Sequence, residues 1–164
     1  MTETMSGPRA ASVALLAIAE HLAQLVPGPP LVGITAISGD EIVVAGWSSP
    51  RARLAEQAQL IWGASPGLEA LRTGKPVTVP DLRLTQRWGE WSAELRLLGL
   101  GSSHSLPVRG DTRPIAVLDL YADDGNGFET EIDHLLIPRL PAVAAAVTAL
   151  TGGTPRARSR PSCS

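Results

Sequence analysis

Residues 65–82, SPGLEALRTGKPVTVPDL, constrain this chain more than any other stretch, because nearly every position in it punctuates structure. Ser65 can N-cap a helix, and Pro66 suits the first helical position, where a missing N–H leaves nothing unpaired. Leu68 and Leu71 make a short apolar ridge, and Gly74 stands where a left-handed residue would end the helix. Val77 and Val79 then share one face of a short strand, which Pro80 stops. The spacing predicts a helix, a tight turn and a strand in 18 residues.

The rest of the chain arranges itself around this unit. Residues 1–9 read as a flexible tail, 10–150 as one domain, and 151–164 as a disordered basic tail. Residues 10–26 read as a helix, with Ser12 as a cap and Leu15, Ile18, Ala19, Leu22, Leu25 and Val26 at helical spacing, ended by the prolines of 27–30. Two strands, 31–38 and 41–48, are joined by Gly39-Asp40 as a hairpin. Pro50 opens a helix through Trp62 whose apolar side is Leu54, Ala58, Ile61 and Trp62. Trp88, Trp91, Leu95 and Leu98 form one helical stripe within 83–100. Strands 102–108 and 113–122 flank Gly110-Asp111, and helical composition from 129 to 150 is interrupted at Pro138 and Pro141. The plan is α+β, with a central, mainly antiparallel sheet.

Composition narrows the function classes. Hydrophobic residues make up 44% of the 164 and charged residues 18%, which describes a globular chain. A net charge of -2 gives no electrostatic footprint for DNA, RNA or an anionic membrane. The one cysteine, Cys163, excludes an internal disulfide framework and a cysteine-built zinc site. The start MTETMSGPRA lacks the basic region of a secretory signal, and no apolar run is expected to span a membrane, so a cytoplasmic setting is expected. Arg156, Arg158 and Arg160 could touch RNA or another acidic partner, though such a tail is more often solubilising.

A two-residue loop at Gly110-Asp111 sets a register by counting: Arg109 faces Thr112, His104 faces Val117, and Ser102 faces Asp119. One face then carries Ser102, His104, Leu106, Val108, Ile115, Val117, Asp119 and Tyr121. The other carries Ser103, Ser105, Ala116, Leu118 and Leu120, which suits close helix packing. The first face could floor a ligand pocket, with His104 and Asp119 holding polar groups and Trp88 and Trp91 as an aromatic wall. It could equally be a closed core with a buried His–Asp bond and core tryptophans. Ser102, His104 and Asp119 have the residue types of a catalytic triad, but no strained elbow or oxyanion donor pair accompanies them. His21, His104 and His134 are scattered, so no metal site is expected. His104 alone is a haem ligand only in type. Asp123, Asp124, Asn126 and Glu129 lack the glycine placement of an EF-hand and read as a turn.

The runs PGLEALRTGKPVTVPDL, RW and SHSLPVRGDTRPIAVLDLYADDGNGFETEID resemble a GAF domain, closest to the actinobacterial kind found with ANTAR RNA-binding modules. The resemblance spans roughly residues 10–150. It implies a PAS-like fold with terminal helices on one sheet face and connecting segments enclosing a small-molecule pocket on the other. It implies a sensor that signals through a homodimer of its terminal helices or a regulatory protein. A ligand-free dimerisation or docking scaffold is the alternative, and an enzyme using His104 and Asp119 a third reading. No ANTAR module follows in this sequence. Relatives often carry cysteine where Gly67 stands, and the GAF domains that reduce free methionine sulfoxide need several cysteines. The cyclic-nucleotide signature is not recognisable, covalent bilin attachment lacks its cysteine, and no cofactor is expected. Relatives mostly have an apolar residue at His104 and often asparagine at Asp119.

Overall fold

The computed structural model describes residues 7–128 and 131–152. The expected tails beyond these bounds, with the three arginines and Cys163, lie outside the described residues. Helix α1 (Gly7–Leu25) starts three residues before position 10 and buries Ala11, Leu15, Ala19 and Leu22. Strands β1 (Leu31–Ser38) and β2 (Glu41–Trp47) form the expected hairpin, with Ser38 opposite Glu41 and Gly39 at φ +63°. Helix α2 (Pro50–Trp62) is capped by Ser49 and ends on Gly63. Helix α3 (Pro66–Thr73) is capped by Ser65, closes on left-handed Gly74, and leads into β3 (Val77–Val79), as the punctuation predicts. Helix α4 (Gly89–Leu97), β4 (Ser102–Arg109) and β5 (Pro114–Ala122) follow.

The two C-terminal prolines divide the last helical stretch. Helix α5 (Ile132–Leu136), a 3-10 turn (Ile137–Arg139) and α6 (Leu140–Thr151) replace one straight rod. Contrary to expectation, Ile132–Thr151 is long and apolar enough by length and composition to cross a membrane. Here its Leu136, Val143 and Val147 pack onto the sheet.

The sheet order is β2-β1-β5-β4-β3, antiparallel throughout. One face packs against α1 and α6 through Leu15, Leu22, Ile34, Leu106, Leu118 and Leu120. The other is covered by α2, α3 and α4, with Val79, Leu82, Trp91, Leu95, Leu100 and Tyr121 as its core.

The apolar stripe of α1 packs within the chain's own core, and Val13 is its exposed large apolar residue. The apolar side expected of α2 is corrected. Helix α2 buries Ala52, Ala55, Glu56, Ala58 and Gln59, and leaves Leu54, Ile61 and Trp62 exposed at 51%, 67% and 42%. Close approach to the sheet demands small residues, so the alanine face, not the larger apolar one, turns inward.

The β4–β5 register is a further correction. The connection is a four-residue loop, with Gly110 N donating to Arg113 O, and the ladder is irregular between Val108 and Arg109. Asp119 therefore faces Ser105 and not Ser102, three positions along. An odd shift moves every β4 side chain to the opposite face. The β5 assignment holds: Val117 and Tyr121 face the α2–α4 cover, while Ala116, Leu118 and Leu120 face the terminal helices. The β4 assignment inverts.

Candidate functional site

On the covered face, seven polar side chains from five elements meet in one buried cluster. Ser49 and Pro50 start α2 so that Glu56 and Gln59 descend one turn apart onto the sheet. Strand β1 leaves room for Glu56 with Gly33, where a Cβ would stand 2.3 Å from the Glu56 side chain. Gly33 lies directly opposite Asp119. Helix α3 comes in over Gly67, where a Cβ would stand 2.1 Å from Gln59 Oε1.

Hydrogen bonds join the cluster. Glu56 accepts from Thr35 Oγ1 at 2.6 Å, from the Tyr121 hydroxyl at 2.5 Å and from Gln59 Nε2 at 3.2 Å. Asp119 accepts from Gln59 Nε2 at 2.9 Å and from the Ser105 hydroxyl. Ser65 serves twice: its oxygen accepts from Leu68 N as helix cap, and its proton goes to Gln59 Oε1 at 2.5 Å.

Burial pushes the Glu56 carboxyl well above its ordinary range, and the neighbouring Asp119 charge adds to this. Burial raises Asp119 to about 6, against the opposing bonds from Ser105 and Gln59. Burial, then the two carboxyls, raise the Tyr121 hydroxyl. Both carboxyls therefore hold their protons more tightly than they would in water. Neither is ion-paired to a lysine, arginine or histidine among the described residues.

The residues expected at the site divide. Asp119, Tyr121 and Val117 lie on this face. Trp91 is 1% exposed in the core beside Tyr121, and Trp88 meets it edge-on at 6.5 Å. Ser102, His104 and Leu106 lie on the opposite face, through the register shift. Ser102 donates to Asp124 O at 2.7 Å, and Leu106 sits in the terminal-helix core. His104 lies 2.8 Å from Thr78 Oγ1 through Nδ1 and 2.8 Å from Asp133 Oδ1 through Nε2, stacked on Phe128. The expected His104–Asp119 bond is therefore replaced by two separate centres.

Sequence reasoning missed Glu56, Gln59, Thr35 and Ser105, and saw Ser65 only as a cap. One signal was present: alanines at 52, 55 and 58 mark the sheet-facing side of α2, and Glu56 and Gln59 follow two of them. The pocket expected between the sheet and the connecting segments is filled by Leu82, Trp91, Leu95 and Leu100. An open groove of about 670 Å³ runs instead along α6, past Leu106, Pro107 and Ile115.

The chain matches the family described as "GAF domain" over residues 11–146. No curated protein matches it. Among solved structures it resembles the type II free methionine-R-sulfoxide reductase of Thermoplasma acidophilum, at TM-score 0.70 and 16% identity, covering 88% of this chain and 97% of that one. The free methionine-R-sulfoxide reductase of Neisseria meningitidis, with its substrate, aligns at TM-score 0.59 and 21% identity over 89% and 88% of the two chains. The GAF domain of an Acinetobacter phosphoenolpyruvate-protein phosphotransferase aligns at 0.66 and 11% over 94% and 90%. At these identities the likeness is one of fold.

Proposed function

The chain is a member of the GAF domain family, and on that premise we propose that it is a sensory module. A small molecule binds between the sheet and the α2–α4 cover. The terminal helices pass the bound state to a second copy or to a regulatory protein. One observation carries this reading: Glu56 and Asp119 are both buried and joined through Gln59, and neither is paired with a cationic side chain among the described residues. A core built for packing alone gains nothing from such a pair, because burying a charge is costly unless it is paired.

A ligand-free scaffold is the second reading, supported by Trp91 and Leu95, which already fill the cover. Catalysis has less support. His104 and Asp119 project from opposite faces and cannot share a proton path directly. Thiol reduction of a sulfoxide needs two electrons from a thiol pair, and this chain has the single Cys163.

Native mass spectrometry of the full chain, followed by thermal shift against a metabolite library, tests the reading. A retained small molecule or a saturable rise in Tm is expected. A protein that emerges empty and responds to nothing would leave the scaffold.

A further inference from the structure

Among the described residues, every side chain that donates to Glu56 and Asp119 is neutral: the hydroxyls of Thr35, Tyr121 and Ser105, and the Gln59 amide. Such donors solvate a carboxylate but do not cancel its charge, and low polarisability makes that charge count for more. A second observation is independent of the acids. Ser103 Oγ, 1% exposed, has no hydrogen-bond partner among the described residues. It projects from the same sheet face, opposite Tyr121 and two residues from Ser105. Trp91 Nε1, in the core beside Tyr121, is unpartnered as well. The face thus carries charge without counter-charge and hydrogen-bonding groups without use.

We infer that the ligand is a compact organic cation, an ammonium or guanidinium, whose nitrogen supplies the charge that Glu56 and Asp119 lack and whose adjoining polar group meets Ser103 and Trp91. This rests on the reading that the covered face takes a ligand at all. Sheet and α3 cannot make room, since Gly33 and Gly67 are already in contact with the cluster. A bound cation therefore requires the room to come from the cover, where Trp91 and Leu95 of α4 fill the space. The groups facing the cation are few. Glu56 comes from α2, and Asp119 and Tyr121 come from β5. Thr35, Ser65, Ser103 and Ser105 add hydroxyls from β1, the α3 cap and β4. His104 lies on the far side of the sheet and acts on Asp119 only through space.

The test pairs each cation with a neutral isostere: ethanolamine with ethylene glycol, and methylguanidine with N-methylurea. At ten times its Kd a binding cation raises Tm by roughly 3–6 °C. The isosteres leave Tm unchanged. Calorimetry in buffers of different ionisation enthalpy shows proton release, and affinity is higher at about pH 8 than at about pH 5, where protons compete. Glu56→Gln and Asp119→Asn each weaken the cation at least tenfold; if neither folds, the isostere comparison on the unaltered chain decides alone. Equal shifts from isosteres, no shift from either cation, or a retained neutral or anionic molecule overturns the cation. The first and last of these leave a sensor standing, and the second does so if another member of the library binds. An empty protein silent to the whole library removes the sensor as well.

Discussion

A Cβ placed on Gly67 would stand 2.7 Å from Asp119 Oδ1. Helix α3 therefore rests on the carboxyl through bare backbone. Gly67→Ala is expected to cost about 1–3 kcal/mol, since overpacking forces backbone shifts in a filled core. Gly67→Cys should cost more, for want of space. Urea titration measures both, and an unchanged midpoint would mean that α3 can back away freely.

The carboxyl pair gives stability an unusual slope. Asp119 rises from its ordinary 3.8 to about 6, and Glu56 moves upward too, so the folded state binds more protons than the unfolded one. Stability is then fully present below about pH 4 as far as this pair is concerned, and is lost as pH rises through 6 and beyond. The Asp119 share is of the order of 3 kcal/mol. Denaturation from about pH 5 to pH 8 should show the fall, and Glu56→Gln should remove only its own part of it, leaving the Asp119 share. A rise over that range would refute the argument.

His104 belongs to a different system. It ties Thr78 at the edge strand to Asp133 at the start of α5. His104→Ala should cost roughly 1–3 kcal/mol by leaving Asp133 and Thr78 partly unpaired. Hydrogen exchange should quicken in β3 and α5, while the pH slope set by Glu56 and Asp119 persists. Loss of that slope would place His104 in the carboxyl network after all.

Helix α2 offers a paired test. Ile61 is 67% exposed and Ala58 only 1%. Ile61→Ser should change stability by less than about 0.5 kcal/mol, whereas Ala58→Leu should cost about 1–3 kcal/mol. Thermal melts that ranked them the other way would restore the apolar side expected from the sequence.

Much of the fold was legible because local chemistry dictated it. Ser65, Pro66 and Gly74 bound α3 by capping rules, and Gly39-Asp40 closes its hairpin by turn geometry. Gly110-Asp111 misled because the connection takes four residues and the ladder is irregular after Val108, whereas the dipeptide alone reads as a two-residue turn. On β5 the alternation survived, so Asp119 and Tyr121 were found. Glu56 and Gln59 were not, because charged residues in a helix ordinarily read as its wet side. Only the sheet beneath explains their burial.

The loop 110–113 has a practical consequence. The β4 and β5 side chains are buried on both faces up to Val108, and burial specifies register strongly, so added length at the tip should leave the ladder in place. A reporter peptide or fluorophore spliced between Asp111 and Thr112 would ride on the sheet without entering either core.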